Sequence, residues 1–268
     1  MKQEKKFSVH HLYYVKKLKR ENTLVWICRF ALLGGLLLLW ELFASIGIFD
    51  PFITSSPSRI IKTIGKLFAE DNLLYHIWVT LYETLAGFII SVGLGFTIAL
   101  MLWWSSRLRK ILEPYIVVLN SLPKIALGPI IIVWCGSGSK AIIFMAILIG
   151  IIVSIITMLN GFLATDSDKI TLLKSMGANK FQILVKLVVP SSMPTFISML
   201  KISVGLAWIG SIMGEYLVSR AGLGYLIVYG GQVFKLDLVM ASTVILCVLA
   251  TLMYASVALL EKILIKHK

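Results

Sequence analysis

Six ionisable residues, Arg29, Glu41, Glu83, Lys124, Lys201 and Glu215, fall inside or at the ends of long apolar runs of this 268-residue chain. Any intramembrane chemistry would have to use these groups, because a charge held within a bilayer is costly and is kept for a purpose. Arg29 and Glu41 lie near the two ends of the first run and reach its interfaces. The patterns that would make a catalyst of such residues are missing. The runs contain no His-Glu-x-x-His, no Ser-Lys dyad and no paired aspartates, which argues against an intramembrane protease. Gly136-Ser-Gly-Ser-Lys140 is too short and misspaced to cradle phosphates, so the chain does not hydrolyse ATP itself and any energy must come from another subunit. Cys28, Cys135 and Cys247 are scattered, have no metal-ligand spacing, and read as small buried hydrophobes. His10, His11, His76 and His267 lie in flanking segments, away from any cysteine pair or carboxylate cluster. The sequence therefore offers no catalytic residue, no metal site and no cofactor of its own.

The elements that hold these residues follow from hydropathy. Hydrophobic residues make up 58% of the chain and charged residues 15%, far from the balance of a soluble domain. A span needs about 20 mostly apolar residues. Six stretches meet that requirement, at about residues 24–49, 76–104, 111–134, 141–162, 190–212 and 238–260. The third is interrupted by Pro114, Pro123 and Pro129. A basic leader, residues 1–24, precedes a membrane domain over residues 25–268; it is no cleavable signal, because the apolar run behind it is long.

Charge placement fixes the expected topology. With both termini cytoplasmic, the inner side holds the lysines and arginines of the leader, then Arg107, Arg109 and Lys110. It also holds Lys169, Lys174, Lys180 and Lys186, and the C-terminal Lys262, Lys266 and Lys268. The outer side keeps only Arg59, Lys62, Lys66, Lys140, Arg220 and Lys235. That asymmetry obeys the positive-inside rule, and an odd number of spans would break it. The net charge of +13 is thus a membrane-topology signal. Nucleic acid is a poor partner for it, since the aromatics do not interleave with the lysines. The outer segment 50–75 carries a helix start at Ser55, Ser56, Pro57 and Ser58, followed by Ile60, Ile61, Ile64, Leu67 and Phe68 at helical spacing. It predicts a short helix along the outer surface.

One polar insert, residues 165–190, separates the fourth and fifth spans. Leu172, Leu173, Met176, Phe181, Leu184, Val185 and Val188 fall mostly at three- and four-residue steps, with Lys174, Asn179, Lys180, Gln182 and Lys186 in the gaps. Gly177 sits mid-run, so a turn between two short helices is expected, and Pro190 opens the next span. Two helices on a membrane face present a surface to something else.

The whole pattern resembles an ABC importer permease of the type I, MetI-like fold: an all-α polytopic protein with six transmembrane helices, both termini cytoplasmic, and a cytoplasmic coupling-helix loop. The family's loop reads E-A-A-x-x-x-G and then I-x-L-P. Here Thr171-Leu172-Leu173 stands at the first positions and Leu187-Val188-Val189-Pro190 at the last, with Gly177 and Pro190 in register and the acidic residue absent. Further blocks resemble the nitrate, sulfonate and taurine group of permeases. They are Trp40-Glu41-Leu42 with Ser56-Pro57-Ser58, Thr84-Leu85-Ala86-Gly87-Phe88, the run Leu122-Pro123-Lys124-Ile125-Ala126-Leu127-Gly128-Pro129, and Trp134-Cys135-Gly136. Gly214-Glu215-Tyr216 and Ala221-Gly222-Leu223-Gly224-Tyr225 complete the set.

The resemblance implies a plasma-membrane subunit, in a prokaryotic inner membrane, that works as two copies, most simply a homodimer. Two ATP-binding subunits would dock on residues 168–185, and an extracytoplasmic binding protein would deliver the solute. Leu172, Leu173, Met176, Gly177, Ala178, Phe181 and Pro190 would form the coupling element, with Lys174 and Lys180 as orienting charges. Pro123 and Pro129 would break the third span beside a translocation path lined by Asn120, Ser121 and Lys124, favouring an anion such as a sulfonate, taurine or nitrate. Pyrimidine vitamin precursors are the alternative cargo. Glu215, Gly222 and Gly224 would form an outer gate. An ATP-independent carrier or a membrane scaffold would account for fewer of these blocks.

Overall fold

The computed structural model describes residues 9–48, 50–70 and 72–264, and these are helical almost throughout. The chain divides into two units, residues 1–63 and 64–268.

In the first unit, α1 runs from Val9 to Ile46 without a break, so the described part of the basic leader is continuous with the first span. Its stretch Thr23–Ile46 is long and apolar enough to cross a bilayer. The short α2, Pro51–Thr54, follows. The expected short helix is present as α3, Pro57–Glu70, which begins in this unit and runs on into residues of the second. Glu41 has a defined use here. Its carboxylate accepts hydrogen bonds from the Ser58 backbone N–H (3.0 Å) and hydroxyl (2.7 Å), at an end of α3 where backbone donors lack helical partners. The two blocks Trp40–Leu42 and Ser56–Ser58 are therefore one contact.

The second unit is built on α4 (Leu73–Trp104), α7 (Ser139–Leu163) and α11 (Met193–Val218). Each is longer than the roughly 20 residues a bilayer requires. A Cβ placed on Gly87 would lie 2.5 Å from the Ala146 Cβ, and one on Gly95 2.5 Å from that of Ser154, so α4 and α7 run parallel. One on Gly210 would lie 2.5 Å from the Ala146 Cα, and one on Gly214 2.9 Å from the Ile142 Cα, so α11 runs antiparallel to α7. Small residues let the backbones approach, which is how helices associate where no hydrophobic effect drives them. Buried hydroxyls join the three, Thr84 to Ser211 at 2.6 Å and Ser154 to Ser203 at 3.1 Å.

The third expected span is broken. α5 (Ser106–Ser121) ends before Pro123, a 3₁₀ turn covers Lys124–Leu127, and α6 (Gly128–Cys135) leaves at 85°. Pro129 lies in the first turn of α6, where it costs no hydrogen bond, so only the Pro123 break interrupts the run there. Counting that bent pair as one, the described residues supply six candidate spans. After α7 come α8 (Ser167–Ser175), α9 (Lys180–Ile183), a π turn at Leu184–Val188 and α10 (Val189–Ser191). Pro190 therefore sits in α10, and the next span opens at Met193 with Pro194 in its first turn. α12 (Leu223–Gln232) and α13 (Leu236–Leu264) close the unit. α13 is tied to α11 by Lys201 and Glu261, 2.6 Å apart. The cysteines differ from expectation: Cys28 and Cys247 are exposed and Cys135 is half-buried, as side chains on the outer faces of helices are when lipid takes the place of a core.

Candidate functional site

The parallel α4 and α7 and the antiparallel α11 bring the start of α4, the start of α7 and the end of α11 to one end of the bundle. There the chain turns through Gly222, at φ +115, where only glycine fits because a Cβ would collide with the Glu215 carboxylate. α12 then begins, and its first backbone N–H groups have no partners within the helix. Side chains from α4 and α11 take them instead. His76 Nδ1 accepts from Gly222 N at 3.0 Å and Thr80 Oγ1 from Leu223 N at 2.8 Å. Glu215 Oε2 accepts from Gly224 N at 2.6 Å and from Tyr225 N at 3.3 Å. The His76 ring stacks on Tyr225, centroids 6.2 Å apart.

Glu215, Gly222 and Gly224, grouped from sequence, are thus in direct contact. His76 and Thr80 were missed. Their signal is a polar stripe, His76, Thr80, Glu83 and Thr84, at helical steps along an otherwise apolar helix. Glu83 is 1% exposed and Glu215 2%, and the Glu83 carboxyl lies against Ser139 and against Glu215. Among the described residues, Glu83 Oε2 and Glu215 Oε1 have no hydrogen-bond donor. Glu83 also lines a cavity of about 310 Å³, whose other polar walls are Tyr75, Ser137, Ser139, Ser219 and Arg220.

Asn120, Ser121, Pro123 and Lys124 do not line that cavity. They gather at the bend between α5 and α6, where Asn120 and Ser121 are exposed and Lys124 is half-buried, its Nζ 3.4 Å from the Asn120 carbonyl oxygen. α5 has no buried residue at all.

At the opposite end lies the 165–190 insert. Asp166 caps α8 by accepting from Asp168 N at 2.9 Å. The helix stops in a Schellman arrangement: Gly177 N donates to Lys174 O and Ala178 N to Leu173 O, both at 2.9 Å, with Gly177 at φ +82. Asn179 and Gln182 then form a reciprocal capping box that starts α9. The sequence carried that box as Asn-x-x-Gln, which spacing alone had left as gap-filling polar residues. Leu172, Met176, Phe181 and Val185 are exposed at 59%, 74%, 62% and 49%, whereas Leu173 and Ala178 are half-buried. Lys174 is exposed and Pro190 lies beyond the π turn. Lys180 is engaged within the chain. Its Nζ donates to the Trp104 carbonyl at the end of α4 and sits over the Trp103 and Trp104 rings, 5.7 and 5.3 Å from their centroids.

Residues 91–266 match the family model described as "Binding-protein-dependent transport system inner membrane component". The chain belongs to this family. It is accordingly an ABC transporter permease subunit of a multi-pass plasma-membrane type, and not an enzyme. It is 30% identical to a probable ABC transporter permease of Haemophilus influenzae over 84% of this chain and 91% of that one. It is 32% identical to a formylaminopyrimidine transport permease of Halalkalibacterium halodurans, covering 86% and 91%. A putative aliphatic sulfonates transport permease of Bacillus subtilis is 26% identical over 90% and 89%. The permease fold is shared with the inward-facing MetNI methionine ABC transporter, at a TM-score of 0.64 and 20% identity over 72% of this chain and 95% of that one. The bacterial alginate ABC transporter gives 0.64 at 14% identity over 92% and 98%.

Proposed function

We propose that this permease imports a small organic solute, handed over by an extracytoplasmic binding protein, and is driven by two ATP-binding subunits seated on the 165–190 insert. Two copies of the chain enclose the path, both termini are cytoplasmic, and the Glu215–Gly222–Gly224 end faces outward. The carrying observation is the exposed apolar ridge of Leu172, Met176 and Phe181 on a helix pair joined by a built turn. Such anchors supply most of the energy of a docked interface. Leu173, Gly177 and Ala178 hold the ridge in shape, and Lys174 is the orienting charge left free for the partner. Closure of the ATPases on ATP biases a two-state gate through this contact.

For cargo, the sulfonate and taurine class is supported by the permease relatives of Bacillus subtilis and by a taurine transport permease of Escherichia coli, 22% identical. A pyrimidine precursor is supported by the higher identity of the formylaminopyrimidine permease. The test is a gentle pull-down of the tagged full chain, wild type and a Leu172→Asp/Phe181→Asp variant. A stoichiometric ATPase recovered with the wild type and lost with the variant is the expected result; an ATPase retained by the variant overturns the docking assignment. Solute uptake by the reconstituted complex, with an alkanesulfonate, taurine or formylaminopyrimidine offered separately, then decides the cargo.

A further inference from the structure

We propose that Glu83 and Glu215 together bind one proton, and that this shared proton latches α4 to α11 at the end of the bundle that carries the cavity. Glu215 is fixed as an acceptor, since the N–H groups of Gly224 and Tyr225 point at its Oε2. It cannot turn away without uncapping α12. Glu83 faces it from the neighbouring helix, equally buried. Two ionised carboxylates in contact and out of water repel strongly, and each buried oxygen without a donor carries its own desolvation cost. Each of these two has one such oxygen, Glu83 Oε2 and Glu215 Oε1. A single hydrogen on Glu83, donated to the Glu215 carboxylate, removes the repulsion and turns one of two opposed acceptors into a donor.

The surrounding groups leave that role to the proton. From α4 the nearby titratable side chains are Tyr75, on the cavity wall, and His76, whose Nδ1 is occupied by Gly222 N; the Thr80 hydroxyl also lies against Glu215, but its hydrogen is given to the His76 carbonyl at 3.2 Å. From α7 the neighbour is the Ser139 hydroxyl, and α12 contributes the two N–H groups and the Tyr225 ring against His76. α11 adds Tyr216, exposed beside Glu215, and the segment before α12 adds Arg220, exposed on the cavity wall. The described residues hold no cluster of three or more metal-ligating side chains that would place a metal ion here. The cavity gives water a route to Glu83, so loss of the proton sets two negative charges face to face and drives α4 and α11 apart at this end.

The proposal is independent of the cargo and of the docking surface, and its test uses the full chain in lipid nanodiscs. A proton held only in the folded state makes stability fall as pH rises. Wild-type melting temperature should therefore drop by several degrees between about pH 5 and about pH 9, while Glu83→Gln, whose amide donates without titrating, stays flatter and melts higher at the alkaline end. Difference infrared spectra should show a protonated carboxyl band in the wild type that Glu83→Gln removes. Parallel pH curves for the two proteins, or the same infrared band in both, would overturn the shared proton. A melting temperature that follows sodium at fixed pH would also overturn it, in favour of a metal cation. Glu83→Ala, which removes donor and acceptor together, should lose the pH slope while melting below Glu83→Gln.

Discussion

Replacing Gly177 tests whether the turn between α8 and α9 matters for its backbone shape or for the space it leaves. The residue holds φ +82, and a Cβ added there would meet nothing within 4 Å. The cost of a substitution is therefore conformational alone. A non-glycine residue in the left-handed region pays about 1–2 kcal/mol, less for asparagine and more for a β-branched side chain. Relief of that strain requires leaving the conformation, and the two 2.9 Å Schellman hydrogen bonds from Gly177 and Ala178 then go with it. A loss of that size reduces the population of the built turn relative to its open form by about 5- to 30-fold. Hydrogen exchange at the amides of residues 177 and 178 should accelerate by that factor in Gly177→Ala, less in Gly177→Asn and more in Gly177→Val. In proteoliposomes, solute transported per ATP hydrolysed should fall in the same order while membrane insertion is unchanged. Equal exchange and equal coupling in wild type and valine variant would refute the reasoning, and so would an asparagine variant worse than alanine.

Two further outcomes follow from the packing. Gly210→Ala puts a methyl group 2.5 Å from the Ala146 Cα and should destabilise by at least about 1–3 kcal/mol in a thermal or denaturant assay. Gly205→Ala, in the same helix with nothing within 4 Å, should be neutral or gain about 0.5–1 kcal/mol from helix propensity; two equal losses would remove the close-contact argument. Lys180→Met should free α9 from the end of α4, increasing the intensity change of Trp104 fluorescence on ATP addition and lowering coupling. Lys180→Arg, which keeps both the ring contact and a donor, should retain it. Release of the ATPase subunit by Lys180→Met would instead make Lys180 a docking charge.

Most of the helical layout was legible because the apolar runs are long and their ends carry prolines and charges. The segment 165–190 was legible in outline: an amphipathic repeat with a central glycine implies a helix pair. Two side-chain contacts, one in that segment and one at the start of α4, are not legible for a physical reason. Spacing gives Lys180 only as an orienting charge and says nothing of the Trp104 carbonyl it meets on α4, which lies 76 positions earlier in the chain. His76 was placed in a flank because its partner, the Gly222 N–H, lies 146 positions away. The bend between α5 and α6 followed from its prolines, but the exposure of Asn120 and Ser121 did not, since burial depends on what else reaches that surface. Glu215 is grouped with Gly222 and Gly224 through the family blocks that carry them, which stand close together in the chain.

The contact between α4, α7 and α11 has a consequence for how motion would be observed. Backbone meets backbone through Gly87, Gly210 and Gly214, with Ala146 and Ile142 between them. α4 and α7, in contact at Gly87–Ala146 and Gly95–Ser154, behave as one stiff pair, and spectroscopic labels placed midway along these two should report a constant separation through the whole cycle. α5 has no buried anchor and ends in an 85° joint. A label pair with one member on α5 and the other on α7 is where distance changes should be sought.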